Sequence, residues 1–593
     1  MENPYNRIRR LKAILKLPEK SQINSALSSF SKKERIIFSA LVIILVLSTI
    51  SILESINKHF MVSVPAYGGS ISEGVIGTPR FVNPVLAFSD ADQDLVSLIY
   101  SGLTRKSPDG NLIPDLAEKY EISNDGLSYT FTLKNNIYFH DGKPVTVDDI
   151  IFTIDKLKDS VIKSSRRGNW ESVTVIKIDE KTIKFILKQS YASFLENTTL
   201  GIMPSYLWKD SPIELNNTNT NPIGSGPYMV SSVNKQSSGA IDYYELTAFK
   251  KFALDRPYIK NISLHFYLNE DSLIKALENK EVDQISSITP LNAGFLRDAG
   301  HRVESTALPR VFGLFFNQNI NQLFVDKTVI NAINQAIDKD KIVREVLGGY
   351  GVVIDDPIPP SIIEYQKSNK KNDLPRGEIL KKIQESLAKG GWEKNSDGFL
   401  EKTVTEKKKK TIMALEFSIS TSNAPELIKT AALIKQDLEA VGMKVEIKTF
   451  EVNGLNQDVI RPRKYDVLLF GQIINNESDL FAFWHSSQRR DPGLNVSMYT
   501  NANVDKILEN AFVTIDKEAR SKKYVQFEDE IKKDMPVVFL YTPKFIYIVS
   551  NNLKGILMNN ITSSSNRFLD IYSWYTKKNN VWRIFTNNKA LGN

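Results

Sequence analysis

Residues 122–154 read ISNDGLSYTFTLKNNIYFHDGKPVTVDDIIFTI, and the fold is decided here. Asn124-Asp125-Gly126 is a turn, because Asn and Asp bond back to their own backbone and Gly accepts positive φ. Leu127, Tyr129, Phe131 and Leu133 then alternate with polar residues, the period of a half-buried strand. Ile137 and Phe139 open an expected second strand that ends at the Asp141-Gly142 turn. Thr146, with Asp149 three residues on, predicts a helix N-cap and an acidic first turn. Ile150, Ile151, Ile154 and Leu157 give that helix one apolar face.

Around this unit lie 593 residues, enough for three or four domains. There is no cysteine, which excludes disulfides, thiolate metal sites, a cysteine nucleophile and a lipid-bearing cysteine. The net charge of +8 is unevenly spread. Residues 1–35 hold nine Lys/Arg against three Glu, so they carry +6 and leave the rest nearly neutral. No basic patch interleaved with aromatics marks the body, so nucleic acid is not an expected partner.

Residues 36–53, from Ile36 to Leu53, form an uncharged 18-residue run between Arg35 and Glu54. At 1.5 Å per residue it spans roughly 27 Å, close to the hydrocarbon thickness. The Lys/Arg excess precedes it, so the tail is expected in the cytoplasm and the body outside the cell. An uncleaved single-pass anchor is the reading; a cleaved signal peptide ending near Val64-Pro65-Ala66 is the alternative. Arg10, Leu11, Ile14, Leu15 and Leu17 suit a tail segment lying on the anionic inner leaflet, and a solvated tail is the other reading.

Behind the anchor, residues 54–67 read as a linker, extended over Val62–Tyr67. A strand is expected around 70–76 and a helix over 90–103. Residues 176–179 and 182–187 form an expected hairpin, and the Asn/Thr run 216–221 reads as a crossing linker. Helices are expected over 327–337, 339–347, 378–389 and 425–441, the last ended by Gly442 and followed by a strand over 444–450. The four lysines 407–410 suit a solvated hairpin limb. This alternation argues for α/β lobes.

The wording of the opening stretch is more specific than its pattern. D-G-x-x-Y-x-F-x-L followed by F-H-D-G-K-P-V-T-x-D-D resembles the signature of the bacterial extracellular solute-binding proteins of family 5, the peptide and nickel receptors of ABC importers. The resemblance continues in DQDLVSLIYSGL (92–103), PDGNLIPDLAE (108–118), GSGPY (224–228), GLFFN and AIDKDKIV within 313–360, FWHSSQ (483–488) and residues 567–585. It implies a bilobal, periplasmic-binding-protein-like α/β fold of class II with an extra domain, behind one N-terminal transmembrane helix. The implied layout has lobe I at 68–105, 222–310 and 545–593, the extra domain at 106–221, and lobe II at 311–544. The chain would cross between lobes near residues 311 and 544.

Catalysis has no footing. Five histidines (His59, His140, His265, His301, His485) show no HExxH or paired ligand spacing, there is no P-loop, and Gly224-Ser225-Gly226 lacks the frame of a nucleophile elbow. No catalytic residue, metal ligand or cofactor is expected. His140 reads as a structural hydrogen-bonding group.

The candidate ligand site follows the apolar strand YDVLLF (465–470). Gly471 permits close approach of a ligand, and Gln472, Asn475, Asn476, Glu477 and Asp479 place polar groups at a strand's carboxyl end, where α/β folds bind ligands. An ordinary polar loop is the competing reading. Family members bind ligand with this region, and peptide-binding relatives place an acid for the peptide ammonium three residues before an Asp-Pro pair. Here Asp479-Leu480 stands for that pair and Asn476 for the acid. An amide cannot neutralise an ammonium, so either Glu477 or Asp479 does so, or the cargo is not a free-amine peptide. Phe312, Asn317, Trp484 and Tyr100 complete the candidates, with core packing the competing role of the aromatics.

The resemblance thus implies a membrane-anchored, extracytoplasmic and monomeric receptor that closes on an oligopeptide and hands it to the permease and ATPase subunits of an ABC importer. The alternatives are the same fold used as a sensor or surface chaperone or for nickel, haem or sugar, and a secreted peptide hydrolase.

Overall fold

The computed structural model describes residues 20–360, 362, 374–406, 409–559 and 561–586. The first nineteen residues of the basic tail, and Lys407 and Lys408, lie outside them. The chain divides into a unit of Tyr67–Thr576 and a smaller one of Met1–Ala66 with Lys577–Asn593.

In the larger unit the strand Val537–Val549 organises a 12-stranded mixed sheet. Residues 537–543 pair with Arg310–Phe316 and Gly351–Val353. Residues 544–549 pair with Arg302–Ala307 and Gln284–Ser286. The first half of the sheet continues through Val467–Ile473 and Glu416–Ser422 to Lys444–Phe450. The second continues through Ser70–Ile76, Asn261–Tyr267 and Ile241–Ala248 to Tyr228–Lys235. Alternation along Arg310–Phe316 sends Val311 and Phe315 into one apolar cluster and Leu314 and Phe316 into another, so that half is buried on both faces.

The opening stretch lies in a separate four-stranded antiparallel sheet. Ser128–Leu133 stands between Ala117–Ile122 and Thr182–Leu187, with Val173–Lys177 outside. Tyr129, Phe131 and Leu133 are buried as their alternation predicts, and Gly126 holds φ +67° in the turn. The capping box forms: the Thr146 N–H donates to Asp149 Oδ2 at 2.9 Å, starting Val147–Lys158. The second strand does not form. Residues 137–139 make only a bridge between Tyr138 and Pro144, because the chain turns away to hold His140.

His140 joins two fingerprint segments. Its N–H donates to the Gly224 carbonyl (2.8 Å), Nδ1 accepts from the Gly224 N–H (3.3 Å), and Nε2 meets the Gly226 carbonyl (3.1 Å). Both glycines press on the end of Asp90–Ile99: a Cβ at Gly224 would run into the Ile99 carbonyl, and one at Gly226 would lie 2.6 Å from its carbon. Burial pushes the His140 imidazole down to about 4 against the pull of the Gly226 carbonyl and Asp141.

Beneath this junction Arg567 is fully buried. It donates two hydrogen bonds to Asp94 (2.9 and 2.6 Å) and one to Glu73 (3.0 Å), while the Tyr547 hydroxyl donates to Glu73 at 2.6 Å. Burial pushes both carboxyls up, and the guanidinium between them pulls them back.

Other expectations are corrected. The N-terminal helix runs Lys32–Phe60, past Leu53, so residues 54–60 are helix rather than linker, and the extended stretch that follows is a paired strand, Met61–Ala66. That strand pairs with Lys577–Trp582, which removes residues 577–593 from lobe I. The helix from Asp90 stops at Ile99 because the following backbone is extended to meet the glycines. Within the run 216–221 Asn219 is buried, accepting from Asn83 and donating to the Ile213 carbonyl.

Two outcomes follow. Replacing Arg567 with Met strands two buried carboxylates and should cost about 3–5 kcal/mol in chemical unfolding; a loss below about 1 kcal/mol contradicts this reading of the cluster. His140 has a folded pKa below its unfolded value of 6.5, so its neutral form contributes stability above pH 6.5 that is lost as pH falls toward about 4. The melting temperature should therefore drop more steeply over that window in the wild type than in His140→Asn.

Candidate functional site

The strand Val467–Ile473 is apolar at its start, where Val467, Leu468 and Leu469 are buried. Gly471 faces Phe312 across the antiparallel pair, and a Cβ there would sit 2.6 Å from that ring. The missing side chain makes room for Phe312, which stacks on Tyr541 at 5.0 Å. On its other edge the strand pairs with Glu416–Ser422 only at Val467 and Leu468. The Thr421 hydroxyl donates to the Leu469 carbonyl (3.0 Å), and from residue 470 to 473 that edge has no strand partner among the described residues.

The loop after it is tied down from within. Asp479 Oδ2 accepts the backbone N–H groups of Asn475 (2.8 Å) and Asn476 (3.3 Å). Burial raises the Asp479 carboxyl, opposed by those two amides. Glu477 accepts from Arg520 Nε at 2.5 Å, and Arg520 also donates to the carbonyls of Thr514 and Ile515. Asn476 Oδ1 accepts from the Ser478 N–H (2.9 Å). The only two acids of this loop are therefore committed to its own structure.

Asn475 and Asn476 line a polar cavity of about 440 Å³, with Tyr100, Lys106, Arg166 and Glu196 on its other walls. Tyr100 follows the helix Asp90–Ile99 and donates to the Val82 carbonyl at 3.2 Å. Glu196 and Arg166 have no hydrogen-bond or ion-pair partner for their side chains among the described residues. Burial pushes the Glu196 carboxyl up; Lys106 opposes this, while Glu477 and Asp479 add to it.

A second, more apolar cavity of about 550 Å³ lies against the strand itself. Phe312, Phe470, Gly471, Ile473, Leu455 and Phe483 line it. The two cavities divide the sequence-predicted residues: Tyr100, Asn475 and Asn476 in the polar one, Phe312 and Gly471 in the apolar one. Gln472 is buried between neighbouring strands, its Oε1 without a partner among the described residues. Glu477 and Asp479 brace the loop.

Two candidates fall away. Trp484 is 1% exposed and packs against Tyr499, Phe527 and Phe539, because the helix Asp479–Trp484 turns it into the core. Asn317 sits past the far end of its strand, donating to the Arg463 carbonyl at 2.9 Å. Sequence reading missed Lys106, Arg166 and Glu196, which no motif marks and which only folding brings to Asn476. Among the described residues no group of three or more His, Asp or Glu gathers as a metal site.

The polar cavity is walled by Tyr100, at the end of the helix Asp90–Ile99, and by Asn475 and Asn476, in the loop after Val467–Ile473. The profile described as "Bacterial extracellular solute-binding proteins, family 5 Middle" matches residues 111–492, and the chain belongs to this family. It is similar to the oligopeptide-binding protein AppA of Bacillus subtilis, 29% identical over 503 residues, covering 83% of this chain and 89% of that protein. The structure of that AppA with a nonapeptide matches at a TM-score of 0.60 and 27% identity, over 86% of this chain and 99% of that one. NikZ of Campylobacter jejuni in complex with Ni(L-His) matches at 0.62 and 27% identity, over 85% and 99%. The fold is the bilobal one of periplasmic binding proteins, and the family's members are binding proteins.

Proposed function

We propose that this protein is the membrane-anchored, extracytoplasmic receptor of an ABC importer, and that it binds peptides with a free amine between two closing lobes. The observation that carries this reading is the cavity whose walls join Tyr100 to Asn475 and Asn476, in the loop that follows a strand whose edge has no strand partner from 470 to 473. An extended peptide can add to such an edge through its main chain, and the neighbouring apolar cavity accepts a side chain. The family membership and the nonapeptide complex of the similar AppA support the cargo class.

The lobes in this reading are the two halves of the sheet, and the hinge is formed where residues 307–311 and 542–544 pass from one half to the other. Cargo that touches both walls favours the shut form in proportion to its extra contacts there. Glu196 takes the role that Asn476 cannot: an uncommitted carboxylate on the cavity wall offers charge to the peptide ammonium. Its raised pKa suits a group that waits for a cation, since an ammonium beside it restores the ionised form.

Calorimetry of the detergent-solubilised full chain with paired peptides tests this. Glu196→Gln should weaken free-amine peptides about 10- to 100-fold and leave their N-acetylated forms unchanged. Binding of neither form to the wild type contradicts the peptide reading itself, whereas equal binding of both removes the free-amine requirement and with it the role of Glu196.

A further inference from the structure

The smaller unit joins the two ends of the chain. The helix Lys32–Phe60 has a mean hydropathy of 2.9 over its most apolar 18 residues and none of them is buried. Met61–Ala66 follows without a break and pairs antiparallel with Lys577–Trp582, from Met61 opposite Trp582 to Ala66 opposite Lys577. Trp582 closes the ribbon onto the helix end. Its indole Nε1–H donates to Asn57 Oδ1 at 2.7 Å, and its ring stacks on Phe60 at 5.9 Å with 20° between planes. Past it, the turn Arg583–Phe585 leaves Ile584 and Phe585 each 78% exposed.

Depth along the helix gives these side chains a place. The uncharged run ends at Leu53, so Asn57 and Phe60 lie about 6 and 10 Å further on at 1.5 Å per residue. The headgroup layer occupies roughly the 5–8 Å beyond the hydrocarbon edge on each side. An indole bonded to Asn57 therefore reaches headgroup level, with Phe60 just beyond it on the water side, and Trp is enriched at that level in membrane proteins. Arg583 follows it in the chain with positive charge suited to phosphate groups, while Lys58 pairs with Glu54 at 2.7 Å and Lys577 and Lys578 stand at the far end of the ribbon. In water, Phe60, Trp582, Ile584 and Phe585 would be a contiguous exposed apolar patch; at the interface they are covered.

We infer that residues 582–585 are a second membrane contact, which seats the C-terminal end of the chain in the outer-leaflet interface beside the anchor helix. The partner is the lipid surface, and the inference rests on the anchor reading of Lys32–Phe60. Its consequence is a double tether: the body's first and last residues, Tyr67 and Thr576, both continue directly into the ribbon.

The cysteine-free chain allows a direct test. Single cysteines at Phe585→Cys, Asn579→Cys and Ile44→Cys carry an environment-sensitive NBD label, in full-length protein in phosphatidylcholine–phosphatidylglycerol nanodiscs. The label at 585 should emit further to the blue than at 579, and headgroup-attached nitroxide should quench it several-fold more than aqueous iodide does. If 585 behaves as 579 while 44 reports acyl depth, the second contact is overturned and the anchor stands. If 44 also reports water, the anchor reading and this inference fall together.

Discussion

One guanidinium, sealed from water, fixes the geometry on which binding relies. Arg567 bridges Glu73 on Ser70–Ile76 to Asp94 on Asp90–Ile99, and the Tyr547 hydroxyl brings in the long strand Val537–Val549. Desolvating three charges is costly, and the cluster persists only because each polar atom of the guanidinium has a partner. It sets the helix whose end presents Tyr100 to the polar cavity. Through Tyr547 it also sets the strand that continues into the other half of the sheet. The buried charge and the Tyr100 wall of the polar cavity thus belong to one mechanical assembly.

Chemistry at the site is divided by environment. The loop 475–479 spends its acids on itself: Asp479 holds two backbone amides and Glu477 holds Arg520. A rigid loop of this kind offers amide side chains and a shaped surface, not charge. Charge arrives from the other wall, where Lys106, Arg166 and Glu196 stand at the polar cavity. Main-chain recognition at an unpaired strand edge is tolerant of sequence, and an apolar cavity of about 550 Å³ beside it is tolerant of side chains. Such a combination suits a receptor that accepts many related cargoes.

How much could be read from the residues depended on the range of the interaction. Local codes were legible: the Asn124–Gly126 turn, the alternation from 127 to 133 and the Thr146–Asp149 capping box all formed. The strand expected at Ile137 and Phe139 failed because His140 must reach Gly224 and Gly226, a demand set by residues more than eighty positions away. Trp484 was misplaced because the short helix Asp479–Trp484 turns it into the core, and Asn317 because it lies past the far end of its strand, bonded to the Arg463 carbonyl. Glu196 was invisible for the same kind of reason, since nothing in its own segment marks it and its significance lies in facing Asn476. The C-terminal strand Lys577–Trp582 was read into the body because its partner, Met61–Ala66, lies near the opposite end of the chain.

The central claim is that cargo is held by both halves of the sheet at once. Hydrogen–deuterium exchange of the full chain, with and without a mixture of free-amine peptides, measures this most directly. The account predicts that peptide slows exchange together in residues 469–476 and in 193–201, and more weakly around the passages at 307–311 and 542–544. Protection confined to one wall, or none in either at saturating peptide, would contradict it.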